Sequence, residues 1–144
     1  MGYTVKNKIS TEETFEEFIN RKSKTKDVCK KTQIRDITSK SISEKNSCYY
    51  VMNRVAFTYI EQSKTNKEKY FMFERWVRIK IIGIPYNKEL KEGDVEYRIC
   101  YYIMSRNPNS KRYGKWIFGE SCPMLPIEDY NKLIKKAQEK KVII

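Results

Sequence analysis

In the stretch "RWVRIKIIG", residues 75–83, two sets of side chains alternate: Val77, Ile79 and Ile81 with Trp76, Arg78 and Lys80. A period of two is the mark of a β-strand, whose successive side chains point to opposite faces of a sheet. "VEYRICYYIM", residues 95–104, repeats the pattern, with Val95, Tyr97, Ile99, Tyr101 and Ile103 on one side and Glu96, Arg98, Cys100, Tyr102 and Met104 on the other. Two such strands require a sheet with an apolar face to bury, and the remaining elements must supply the cover.

Two further strands flank this pair. "CYYVMNRVAFTYIEQ", residues 48–62, is rich in aromatic and β-branched residues, and the turn "SKTNKE" links it to the long strand "KYFMFERWVRIKIIGI", which Gly83 and Pro85 close. "NPNSKRYG" has the composition of a hairpin loop, and "KWIFG" follows as a short fourth strand. "LPIEDYNKLIKKAQEKK" then reads as an amphipathic helix. Pro126 suits the first turn, Glu128 and Asp129 the positive end of the dipole, and Lys135, Lys136, Lys140 and Lys141 its negative end. Ile127, Tyr130, Leu133, Ile134 and Ala137 form its apolar stripe.

At the N-terminus "YTVKNKI" is strand-like. Ser10 and Glu13 match a capping box for a short helix over residues 11–22, with Phe15, Phe18 and Ile19 on one side. From Arg21 to Lys45 nine Lys or Arg stand against Asp27, Asp36 and Glu44, which reads as a basic connector. The expected class is α+β: a four-stranded antiparallel β-meander with a C-terminal amphipathic helix and a short N-terminal helix. Residues 1–46 supply the N-terminal helix and connector, and residues 47–144 the sheet and C-terminal helix.

Composition narrows the chemistry. With 30 basic and 18 acidic residues the chain carries +12, which favours a polyanionic partner. It has no histidine, the commonest general base and zinc ligand. Cys29, Cys48, Cys100 and Cys122 form no CxxC pair, so they read as packed, reduced thiols. No apolar run approaches the roughly 20 residues of a membrane span. A soluble intracellular protein without cofactor, metal or membrane partner is the expectation, and a non-enzymatic one.

The second face of the two alternating strands collects Trp76, Arg78 and Lys80 with Arg98 and Tyr102. Such a face is either a solvated back, as antiparallel sheets commonly have, or a platform on which cations follow phosphates while rings stack on bases. The cations of "RNPNSKRYGK" offer the same choice between a hairpin tip and a phosphate-contacting loop.

The stretches "RWVRIKIIG", "VEYRICYYIM", "YGKWIFG" and "LPIEDYNKLIKKAQE" resemble, over residues 70–140, the core of the positive cofactor four family of transcriptional coactivators. The shared pattern is a strand with an aromatic near its start and a basic end, then a strand closing on an aromatic pair and Met. A Gly- and Lys-rich loop follows, and then a helix opening with Pro, acidic and aromatic residues before Leu. The resemblance implies a curved four-stranded sheet plus one helix, a homodimer, and single-stranded DNA held on basic, aromatic-bearing strands. By matching positions it implies DNA contacts for Trp76, Lys80, Tyr102, Lys111, Arg112 and Lys115, and helix packing for Tyr130 and Leu133.

The sequence therefore leads to a nucleic-acid-binding protein, single strands preferred, acting in transcription or replication through Trp76, Arg78, Lys80, Arg98, Tyr102, Lys111, Arg112 and Lys115. A second class is a protein-interaction module or inhibitor of viral or mobile-element type, using a basic, Tyr-rich surface on a protein partner. A third is a Mg²⁺-dependent nuclease built on Glu92, Asp94 and Glu96.

Overall fold

The computed structural model describes residues 12–23, 29–34, 48–64, 68–83, 85, 88–120 and 123–144. In chain order these are helix α1 (Phe15–Lys22), strands β1 (Cys29–Ile34), β2 (Cys48–Glu61), β3 (Lys69–Ile82), β4 (Val95–Met104) and β5 (Trp116–Glu120), and helix α2 (Ile127–Glu139). The strands form one sheet in the order β1-β2-β3-β4-β5, every neighbouring pair antiparallel. The class is α+β, with the expected four-strand meander as β2 to β5 and a helix at each end. "YTVKNKI" and Ser10 lie outside the described residues.

β1 adds a fifth strand, at the sheet edge, where Cys29 to Ile34 pair with Asn53 to Cys48. It falls in the segment that composition marks as a connector. Its sequence, "CKKTQI", has no apolar alternation, and its backbone bonds to β2 define it. Lysine is common on such edges, where it discourages further pairing.

Helix α1 starts later than the Ser10 signal implies. Thr14 caps it, its hydroxyl accepting from the Glu17 amide at 3.1 Å. Thr14 and Glu17 stand three apart, the spacing of a capping box one turn further along.

The two helices cover opposite faces of the sheet, and each face has its own core. On the α1 side Phe15, Phe18 and Ile19 bury Met72 and Cys100, with Phe57, Tyr59, Tyr70, Tyr102 and Trp116 around them. Phe15 stacks on Tyr70, with ring centroids 4.3 Å apart and planes 6° apart, and meets Tyr59 and Trp116 edge-on. On the α2 side Leu133, Ala137 and Val142 bury Phe71 and Phe73.

This arrangement reverses part of the expected core. The face of Val77, Ile79 and Ile81 runs past α2, so Ile79 is 48% exposed, and Val95 is also exposed. The apolar stripe of α2 overhangs likewise: Leu133 and Ala137 are fully buried, whereas Ile127 and Tyr130 are exposed. The side read as a cationic surface is largely interior.

Two hydrogen bonds tie the start of α1 to the far end of the sheet. Arg106, just after β4, bonds Glu68 through Nε at 2.8 Å and Glu12 through Nη1 at 2.7 Å. Trp116 Nε1 donates to the Glu13 carbonyl at 2.9 Å. The β4–β5 loop closes with Gly114 at φ +75°, a backbone conformation that favours glycine, with the end of the Glu12 side chain beside it. Among the described residues no helix is long and apolar enough to cross a membrane.

Candidate nucleic-acid interface

Seven of the eight residues singled out by sequence separate into two groups, and the eighth, Tyr102, is half-buried between them. Arg78 is 2% exposed: Nη1 lies 2.7 Å from Asp94 Oδ2, Nη2 lies 3.2 Å from Glu96 Oε1, and the guanidinium covers the Tyr50 ring. Trp76 is 7% exposed, with the Arg98 guanidinium 4.9 Å from its ring centroid. Arg98 is committed in turn to Glu74, at 2.6 Å. A buried ring cannot stack on a base, and a guanidinium held by carboxylates does not bind phosphate, so these three are structural. The reason is packing: a long cation tolerates a covered face when neighbouring carboxylates neutralise it. Asp94 and Glu96, two of the three carboxylates weighed for a nuclease, are those neutralising partners.

Lys80, Lys111, Arg112 and Lys115 are exposed. Lys111, Arg112 and Lys115 lie in the β4–β5 loop, which its own bonds hold in shape: Ser105 N to the Lys115 carbonyl at 2.9 Å, Lys115 N to the Arg112 carbonyl at 2.9 Å, and Arg112 N to Ser110 Oγ at 3.1 Å. None of these three cations forms an ion pair among the described residues.

Arg112 and Lys115 meet Tyr102 at a cavity of about 410 Å³ between α1, the end of β4 and β5. Phe18 and Lys22 line it from α1, Arg54 from β2, and Trp116, Ile117 and Phe118 from β5. Lys22, Arg112 and Lys115 thus converge with four aromatic rings, no carboxylate is in the lining, and Arg54 is a covered part of the wall, its side chain 6% exposed. Lys80 is not part of it. Sequence reasoning missed Lys22, Arg54 and Phe118. The alternation of "KWIFG" puts Trp116 and Phe118 on one side, which was a usable signal, but nothing local tells that Lys22 and Arg54 arrive there.

Beneath the cavity lies a buried charge cluster. Glu74 is fully buried on β3, with Arg54 Nη1 at 2.8 Å and Arg98 Nε at 2.6 Å on its two oxygens. Burial pushes its carboxyl up, but the bonds and charges of Arg98 and Arg54 outweigh it and hold the group below the usual carboxylate range. Arg54, like Arg98, is therefore neutralised by Glu74 and lines the cavity as a structural wall. Arg98 backs Phe118, its guanidinium 5.3 Å from that ring centroid, and Tyr102 meets the same ring edge-on at 5.4 Å.

The other titratable groups nearby are quiet. Burial, then the Glu74 and Arg98 charges in opposition, leave the Cys100 thiol far above its ordinary range, so it is no nucleophile. Burial, with Cys100 and Glu74 adding to it, pushes Tyr102 up to about 12. Among the described residues no group of three or more Cys, Asp or Glu side chains is placed to hold a metal ion. The chain matches no protein-family model, no curated protein and no solved structure.

Proposed function

We propose that this is a non-enzymatic, intracellular nucleic-acid-binding protein that holds single-stranded or unwound DNA or RNA at the cavity between α1, the β4–β5 loop and β5. The observation that carries the reading is the convergence of Lys22, Arg112 and Lys115 beside the half-exposed ring of Phe118, with no carboxylate in the lining. Cations satisfy phosphates and an open ring satisfies a base, the pairing that single-strand binders use. The net charge of +12 adds long-range attraction. The resemblance to the positive cofactor four family gives the same partner, and with it a role in transcription or replication as a homodimer, but through different residues: Arg112, Lys115 and Tyr102 stay in the site, while Trp76 becomes core.

The test is a titration of labelled single-stranded and duplex oligonucleotides, followed by anisotropy at two salt concentrations. Salt-sensitive binding that favours the single strand supports the reading; equal, weak binding to both forms refutes it.

A second reading has one observation in its favour. On the α2 side a groove of about 610 Å³ is lined by Ile99, Pro123, Leu125, Ile127 and Tyr130, and Met124 beside it is 93% exposed. Exposed apolar surface of this kind marks protein contacts. A binding partner recovered from nuclease-treated lysate by the native chain, and lost with Ile127→Asp, would speak for an interaction module.

A further inference from the structure

We infer that the cavity accommodates a single nucleotide, its base against Phe118 and its phosphate between Arg112 and Lys115. The inference rests on the nucleic-acid reading and adds the unit that the site recognises. Two observations carry it. The first is size. About 410 Å³, walled by Phe18 and Lys22 of α1 on one side and by the β4–β5 loop on the other, is at the low end of the roughly 300–1,000 Å³ that small-molecule sites occupy. One nucleotide fits such a space.

The second is the count of open rings. A site that tracks a strand presents successive aromatic faces, one for each stacked base. Among the described residues the aromatic side chains most open to solvent are Tyr97, Phe118 and Tyr130, and only Phe118, 46% exposed, lines this cavity. Tyr97 packs on Phe73 and Tyr130 belongs to the α2 groove, both on the opposite face of the sheet. Phe18, Tyr102 and Trp116 are spent on Phe15 in the α1 core. One free platform beside one cluster of cations therefore specifies one base and its phosphate.

Two sources present that chemistry: a free mononucleotide, and a terminal or unstacked nucleotide of a strand. Calorimetry on the full chain, with adenosine 5′-monophosphate, adenosine and a single-stranded oligonucleotide as probes, tests the inference. Expected is one mononucleotide per chain, at least about tenfold weaker binding of adenosine, and competition between mononucleotide and oligonucleotide. Binding of the mononucleotide as tight as that of the oligonucleotide identifies the free ligand as the source; much tighter oligonucleotide binding identifies the strand.

Arg112→Ala with Lys115→Ala, both exposed and away from the core, should weaken the mononucleotide by about tenfold or more, and Phe118→Ala should remove the preference for mononucleotide over inorganic phosphate. Oligonucleotide binding that the mononucleotide does not compete for overturns the one-nucleotide site and leaves the broader reading intact. Failure of both probes to bind overturns both. Inorganic phosphate binding as well as the mononucleotide also overturns it, since the base then contributes nothing.

Discussion

Arg78 and Arg112 have the same side chain and opposite employment. Arg78 lies under the sheet's cover with Asp94 and Glu96 on its guanidinium, whereas Arg112 stands in a loop beside an open cavity. Trp76→Ala with Arg78→Ala therefore empties part of the interior and leaves two carboxylates without their cation. It is expected to lower stability by about 3–5 kcal/mol, chiefly through the Trp76 cavity, because Asp94 and Glu96 remain accessible to water; the change is read from urea denaturation. Arg112→Ala with Lys115→Ala should leave the denaturation midpoint unchanged.

Glu74 makes a sharper case, because its folded-state carboxyl is held below the ordinary value by Arg98 and Arg54. A depressed pKa stabilises the fold above the unfolded value of about 4.3 and loses that contribution as pH falls through the folded value. Glu74→Gln should cost about 3 kcal/mol at neutral pH and flatten the acid side of the stability profile, in denaturation midpoints measured from pH 7 down to 3. Since Glu74 anchors Arg54 and, through Arg98, backs Phe118, the variant should also weaken oligonucleotide binding under conditions where it remains folded. An acid profile as steep as that of the native protein would count against the ion-paired state of Glu74.

At the scale of elements, α1 is a wall of the site as well as a cover for the sheet. Phe15 is the centre of its contact, packed among Tyr59, Tyr70, Tyr102 and Trp116. Phe15→Ala is expected to cost about 3–5 kcal/mol by chemical denaturation, and to lower affinity as the helix carrying Phe18 and Lys22 loosens. Strands β3 and β4 were legible because a period of two needs no tertiary information, and β2 by its aromatic and β-branched content. The same period shows that a strand has two faces without telling which one a distant helix will cover, and so Trp76 and Arg78 read as surface. The pairing of Trp76 with Glu96, which brings carboxylates to Arg78, becomes visible only once the β3–β4 register is known. Tyr102, Arg112 and Lys115 were legible by residue type, whereas Lys22 and Arg54 enter the site from elements whose placement no local pattern encodes.

For the molecule as a whole, the charge of +12 and the absence of histidine lead to different expectations. Charge implies affinity that falls steeply with salt, with a logarithmic slope of about −0.7 for each phosphate neutralised on a single strand. Without histidine, affinity for an oligonucleotide lacking a terminal phosphate should stay flat between about pH 6 and 8, since no other side chain ordinarily titrates there. Neither expectation separates a local site from general attraction, because every cation contributes to the field. The separation comes from removing the same charge in two places. Anisotropy of a labelled single strand should show Arg112→Ala with Lys115→Ala losing about tenfold or more in affinity, and Lys132→Ala with Lys135→Ala, on exposed positions of α2, losing little. Equal losses from the two pairs would contradict the cavity as the site and leave only diffuse charge.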